Sequence, residues 1–345
     1  MDIRSHLLEG QAIPALPLAL DKARKWSKKY QRALVRYYHA AGTGGLAVGV
    51  HSTQFEIRNP EHALFEPVLE LASEILEGCK KQNPRPYIKI AGLCGKTAQA
   101  VKESTFAKKT GYDAGLLSMA AWEDAPEEEI LNHCRTVSEI IPIIGFYLQT
   151  AVGGRAFSYS FWRKFVEIPD VVAIKMAPFN RYQTWDVVRA VMESGRKDVA
   201  LYTGNDDNII NDLLTPWQWK NEVRFISGGL LGQWGVWTKT AVEMLTKIKQ
   251  LRKTGILSSE WLTKNAELTD ANAVIFDAAN RFAGCIPGIH ELLRRQGLLE
   301  TNYCLNPKET LSSGQAEELD RICDAYPWLL DDEFVRQNLD AWLKD

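Results

Sequence analysis

No apolar run in this 345-residue chain approaches the roughly 20 residues needed to cross a bilayer. The opening Met1-Asp2-Ile3-Arg4-Ser5-His6 lacks the basic-then-apolar order of a secretory leader. Net charge is also scarce, with 41 Lys+Arg against 43 Asp+Glu, so nothing calls for nucleic acid or an anionic membrane as partner. The six cysteines (79, 94, 134, 285, 304 and 323) contain no C-x-x-C pair and no metal-ligand spacing. None of the six histidines stands in a His-x-His pair, which argues against a metal hydrolase. Internal repeats and low-complexity stretches are missing too. These absences lead us to expect a cytoplasmic protein with reduced thiols and no metal site.

What is present is a cycle. Apolar runs at 12–20, 46–50, 87–92, 113–119, 141–148, 171–177, 198–203 and 223–227 alternate with segments of helical periodicity. Alternating β and α units imply a parallel sheet, and eight of them predict an α/β fold of the (β/α)8 TIM-barrel type. Beyond about Lys239 only helical patterns follow. The expected organisation is an N-terminal arm (1–10), a barrel (11–250) and a C-terminal helical appendage (251–345).

In such barrels the functional site forms at the C-terminal ends of the strands. Gly42-Thr43-Gly44-Gly45 resembles a phosphate cradle but precedes its strand, and so reads as a helix-to-strand turn. The informative position is Lys175, at the end of Val171-Val172-Ala173-Ile174-Lys175-Met176-Ala177. An unpaired ammonium in a core costs several kcal/mol, on the order that favours its neutral form. Lys175 therefore either reaches water or is held as a free amine, the nucleophile that forms a Schiff base with a ketone. Tyr147 closes the preceding strand and could carry protons to and from the carbinolamine. Ser52 and Thr53 offer hydroxyls and backbone N–H groups for a carboxylate. Gly204 and Asn205 follow strand seven and Ser227 follows strand eight, which makes them candidate substrate contacts. Tyr202, Trp185, Arg181 and Gln149 are candidates for shaping the acceptor side, though a structural role suits each better.

Taken together, Ile174-Lys175, the spacing from Tyr147 to that lysine, Thr203-Gly204-Asn205-Asp206, and the stretches 88–117 and 287–299 resemble the dihydrodipicolinate synthase / N-acetylneuraminate lyase family of class I aldolases. The resemblance covers about residues 12 to 325. It implies a Schiff base between Lys175 and pyruvate or a related small-molecule 2-oxo acid, with no metal and no dissociable cofactor, Tyr147 as proton shuttle and an aldehyde as second substrate. It also implies a homodimer or homotetramer, with Trp122 near a subunit contact. The chain departs from the family's pattern at several points. His51 stands where the family has the first hydroxyl of its carboxylate loop, and we count it with Lys175 and Tyr147 as catalytic. Trp122 takes the place of a relay tyrosine. Val152 stands where the synthases carry an arginine, with Arg155 out of register nearby. The expectation is a lyase (aldolase) other than a true dihydrodipicolinate synthase. The alternatives are a dehydratase of a sugar-acid-type 2-oxo substrate, a barrel that binds a ligand without catalysis, and an NADPH-dependent reductase. The last is disfavoured by the order of its Tyr, Lys, His and Asp along the chain.

Overall fold

The turn at Gly42 shows how local chemistry sets the barrel's rhythm. In a computed structural model describing residues 2–344, helix α2 (Lys28–Ala41) stops where Gly42 takes φ +97°, a left-handed conformation that costs a residue without Cβ little. The chain then enters β2 (Gly45–Val48). The cycle continues with α3 (Phe65–Gln82), β3 (Ile88–Leu93), α4 (Thr97–Lys109), β4 (Ala114–Ser118), α5 (Glu127–Ser138) and β5 (Ile143–Leu148). Next come α6 (Tyr159–Phe165), β6 (Val171–Ala177), α7 (Arg181–Ser194), β7 (Ala200–Thr203) and α8 (Ile209–Leu214). A small hairpin of β8 (Trp217–Trp219) and β9 (Glu222–Arg224) precedes β10 (Gly228–Leu231) and α9 (Thr238–Thr254).

Eight strands pair in parallel in the order β1-β10-β7-β6-β5-β4-β3-β2, β1 being Ala12–Pro14. The Leu16 amide donates to the Ala47 carbonyl at 2.8 Å, and this parallel contact brings the first strand against the second to close the (β/α)8 barrel. Each strand alternates its faces, so one set of side chains fills the barrel and the other packs under the helices. Ile13, Ala47, Ile90, Leu116, Ile144, Ala173 and Leu230 belong to the inner cluster. Ile143, Tyr147, Ile174, Met176 and Trp162 belong to the outer one.

Three expectations are revised. The eighth barrel strand is Gly228–Leu231 rather than 223–227, because Glu222–Arg224 pairs back on Trp217–Trp219 in the hairpin. Residues 2–10 of the expected arm are docked on the barrel. Helix α1 (Ile3–Leu8) plugs the N-terminal mouth, with Leu7 in the inner cluster and its carbonyl accepting from the Tyr202 hydroxyl at 2.9 Å. Arg4 ties the plug down through the Val171 carbonyl at 2.9 Å and Asp198 at 2.8 Å. A cut at residue 250 would fall inside α9.

The remaining helices are α10 (Glu260–Ile275), α11 (Cys285–Arg295), α12 (Gln315–Ala325) and α13 (Asp332–Trp342). Between α10 and α11 the backbone makes three left-handed turns, at Asp277, Arg281 and Phe282. Asp277 holds this corner by accepting from the Gly284 amide at 2.9 Å and the Ser312 hydroxyl at 2.6 Å. The corner therefore sits at a fixed height over the barrel. Among the described residues no helix is long and apolar enough to cross a membrane.

Candidate active site

Strand parity decides which side chains meet at the C-terminal mouth. On β6, Ala173, Lys175 and Ala177 share the inward face, and their register partners on β5 are Ile144, Phe146 and Leu148. Ile174 and Met176 face outward with Gly145 and Tyr147. The neighbour of Lys175 is thus a phenyl ring, with Nζ 4.4 Å from the Phe146 ring centroid.

Lys175 is 8% exposed, and no hydrogen bond or ion pair holds its ammonium among the described residues. Burial lowers its pKa, and the negative charge of Asp206 partly restores it. Room for the side chain comes from Gly204, where a Cβ would lie 2.6 Å from Lys175 Cε and 2.9 Å from Ala177 Cβ. The lysine opens into a cavity of about 670 Å³, mouth included.

Across the cavity His51 and Ser52 begin a single 3-10 turn after β2. Ser52 is buried, and its hydroxyl has no hydrogen-bond partner among the described residues although it lines the cavity. A buried donor without a partner costs about 1–3 kcal/mol, which a ligand oxygen would recover. The His51 imidazole is held neutral, its pKa lowered to about 4 by burial first and by the Lys175 charge second. Asp206 lies on the loop after β7, where burial raises its pKa and the Lys175 charge opposes the rise. Its Oδ1 accepts from the Gln233 amide at 3.2 Å, and its carbonyl accepts from Asn272 Nδ2 at 2.7 Å.

The rest of the wall is apolar. Val152 and Leu148 contribute from the barrel, Phe179 from the turn after β6, and Phe276, Phe282 and Ile289 from the C-terminal helices. Phe179 has φ +51° and Phe282 φ +67°, and their rings meet edge to face with centroids 6.0 Å apart. Two left-handed phenylalanines in contact at the cavity wall mark a place where backbone strain is held by the surrounding packing.

Of the residues singled out from sequence, Lys175, His51, Ser52 and Gly204 line this cavity. The others do not. Tyr147 faces outward, packed on Trp162 with ring centroids 5.0 Å apart, and its hydroxyl accepts from the Phe157 amide at 3.3 Å. It cannot serve Lys175 from the far side of the sheet. Thr53 is spent on its own turn, donating to the Leu16 carbonyl at 2.6 Å and accepting from the Gly49 amide at 3.0 Å. Asn205 supports the wall from behind, with Oδ1 accepting from the strained Phe179 amide at 3.0 Å and Nδ2 donating to Asp212 at 2.9 Å. Ser227 precedes its strand and so lies at the opposite end of the barrel, beside Leu8 and Arg252.

Gln149 reaches the cavity, whereas Trp185 stacks on Trp217 with ring centroids 5.4 Å apart and Arg181 pairs with Asp212. Tyr202 stays deep in the barrel. Arg155 donates to the Trp122 and Ala125 carbonyls at 2.7 and 2.8 Å, which leaves Val152 as the lining residue. Trp122 is buried against His133 within this chain. Asp206 and Phe146 were missed. The alternation Ile144-x-Phe146-x-Leu148 carried the signal for Phe146, and the informative stretch Thr203–Asp206 already contained the aspartate. No sequence signal announces Phe276 or Phe282. Among the described residues no cluster of three or more His, Cys, Asp or Glu is placed to hold a metal ion.

Tyr147→Phe should therefore leave turnover within about twofold of wild type. It removes one hydroxyl from the outer core, a stability loss of about 1 kcal/mol. Parallel steady-state kinetics and thermal unfolding check this. A 100-fold fall in kcat with an unchanged melting temperature would return the phenol to the chemistry.

No family model matches the chain. A 4-hydroxy-tetrahydrodipicolinate synthase of Aromatoleum aromaticum is 29% identical over 182 residues, spanning 51% of this chain and 56% of that protein. With this relative the match thus covers only about half of either protein. An N-acetylneuraminate lyase 2 of Escherichia coli O6:H1 is 22% identical over 316 residues, covering 90% of this chain and 92% of that one. Among solved structures, a prophage protein of the dihydrodipicolinic acid synthase family from E. coli K12, in complex with pyruvate, superposes with a TM-score of 0.74. That structure is 14% identical and covers 92% of this chain and 98% of its own. At that identity it speaks for the fold.

Proposed function

The chain belongs to the dihydrodipicolinate synthase / N-acetylneuraminate lyase family of lyases, and from that premise we propose that it is a lyase acting on pyruvate or a related 2-oxo acid through a Schiff base at Lys175. The observation that carries the proposal is the buried, unpaired amine of Lys175 in the wall of a cavity. Desolvation there favours the uncharged nucleophile. The 2-oxo acid's carbonyl carbon takes the amine, water leaves, and the resulting iminium is an electron sink for the carbanion of aldol cleavage or proton loss. The Ser52 hydroxyl is the natural donor to the substrate carboxylate. A mass-spectrometric screen of 2-oxo acids with borohydride reduction tests the reading. One of them should add its mass to the peptide holding Lys175, and failure of every 2-oxo acid to do so would end it.

The second substrate is read from the acceptor wall. Val152, Leu148, Phe276, Phe282 and Ile289 offer no cation, and Arg155 is occupied elsewhere. A charged aldehyde needs a grip such as a bidentate guanidinium, so an apolar or aromatic aldehyde suits this wall better. Aspartate semialdehyde should be a poor acceptor. The missing charged hydrogen bond alone is worth about 10- to 150-fold. Turnover of pyruvate with aspartate semialdehyde at about 10⁴ M⁻¹s⁻¹ or more in a coupled assay would reverse this assignment. Dehydration of a sugar-acid-type substrate by the same imine remains the second reading, because loss of a β-hydroxyl draws on the same electron sink. Assembly as a homodimer or homotetramer belongs to the proposal as well.

A further inference from the structure

Imine chemistry needs a group that gives and takes protons beside the lysine, and strand parity has removed the phenol expected there. On the β5 side Lys175 meets Phe146, which has no proton to give. On the β7 side its register partner is Tyr202. That hydroxyl is committed at the other end of the barrel, donating to the Leu7 carbonyl at 2.9 Å and accepting from the Gln11 amide at 3.1 Å. The remaining protic side chains on the cavity wall are His51, Ser52, Gln149, Asp206 and Cys285. Serine and glutamine are too weak as acids and bases to exchange protons near neutral pH. Burial pushes the Cys285 thiol well above its ordinary range. The His51 imidazole, protonated only near pH 4, is a feeble base and is rarely an acid.

We propose that Asp206 is the proton-transfer group of this site, acting on the Lys175 imine in the place where the family resemblance predicted a tyrosine. The inference rests on the lysine-imine reading. The carboxyl is fixed in place from two sides. Gln233 holds Oδ1 and Asn272 holds the main chain, while Oδ2 has no partner among the described residues. It stands one residue beyond the Asn205 that braces Phe179 and two beyond the Gly204 that makes room for the lysine. The charged and titratable groups acting on it are Lys175 from β6, its neighbour Asp207, and Cys285 from α11, with His51 acting on Lys175 from the opposite wall. Burial favours the neutral carboxylic acid and the neutral amine together, and the charge of each opposes that effect on the other.

The Lys175 amine adds to C2 of pyruvate and gives a carbinolamine. Asp206, as the acid, protonates the departing hydroxyl, which leaves as water, and the C2–N iminium forms. The Asp206 carboxylate then removes a proton from C3. The C–H electron pair becomes the C2–C3 double bond and the iminium π pair moves to nitrogen, giving the enamine. Reversal returns a proton from the carboxyl to C3.

Pyruvate alone is a sufficient probe. In D2O with saturating pyruvate, so that Lys175 is already the imine, wild-type protein should wash deuterium into the pyruvate methyl group, followed by proton NMR, at a rate that rises with pH through a single ionisation. Asp206→Asn should slow this exchange by about 10²–10⁴-fold and abolish that ionisation, while borohydride still traps pyruvate on Lys175 on longer incubation, because dehydration is slowed but the amine is intact. Tyr147→Phe should exchange as wild type does. Three results would overturn the inference. One is wild-type exchange in Asp206→Asn. A second is loss of exchange in His51→Gln with retention in Asp206→Asn. The third is exchange in Asp206→Asn that falls only in proportion to slower borohydride trapping, which would leave the C3 proton to another group. Absence of any adduct on the wild-type protein is a different result and strikes the imine reading instead.

Discussion

Replacing Lys175 with alanine should abolish pyruvate-dependent borohydride labelling and turnover while leaving the barrel folded. An exposed lysine has a pKa of about 10.4, so only about one amine in a few thousand is neutral at pH 7. Lys175 is displaced from that state because burial disfavours its charge, with Asp206 restoring part of it. The free-amine fraction grows as pH rises. The initial labelling rate of wild type should therefore climb with pH and level off below the pH at which an exposed lysine would do so. The fold should survive because the side chain makes no hydrogen bond or ion pair among the described residues, and its alkyl stem borders a cavity rather than a packed interface. Labelling retained in a folded Lys175→Ala protein would place the reactive amine elsewhere. A pH profile that kept rising to the range of exposed lysines would contradict the desolvation argument even if the residue were correct.

The second large effect is expected from Gly204→Ala, which adds a single methyl group and removes nothing. Its Cβ would lie 2.6 Å from Lys175 Cε, 2.9 Å from the Ala177 Cβ and 3.1 Å from Lys175 Cγ. The end of a lysine can swing aside, but Ala177 is fixed in the sheet. The strain therefore resolves by moving the amine, or by shifting the loop that carries Asp206. A displacement of about 1 Å at reacting groups costs on the order of 100-fold in rate. Imine formation and pyruvate deuterium exchange should both fall by about that factor, with the melting temperature lowered only modestly. Unchanged rates would show that the lysine reaches its substrate from another direction and that this glycine is an incidental turn residue.

Much of this was written in the order of residues. Four apolar residues in the run Val171–Ile174, with Lys175 next and prolines on either side, specify a short buried strand with an amine near its end. The repeated exchange of an apolar run for an amphipathic helix specifies a parallel barrel, and the barrel specifies which loops face the site. Gly42 was correctly assigned to a turn because its loop leads into a strand rather than out of one. The local signal failed where a one-residue shift matters. Side chains alternate across a strand, so a slip of one position exchanges the two faces. Tyr147 and Phe146 are both plausible at the end of β5. The pairing of Phe146 with Lys175, through hydrogen bonds between strands distant in sequence, sends the phenyl ring inward and the phenol out toward Trp162. Ser227 was misplaced for the same reason. The boundary of the last strand depends on a hairpin that draws Glu222–Arg224 away from the barrel, so the serine begins the strand instead of ending it. The acceptor wall lay furthest from any local signal. Phe276 and Phe282 come to Lys175 only because the left-handed corner held by Asp277 folds the C-terminal helices over the mouth. Composition and periodicity determined the barrel and the amine near the end of its sixth strand. Strand pairing and helix docking, which join residues far apart in the chain, decided what that amine faces.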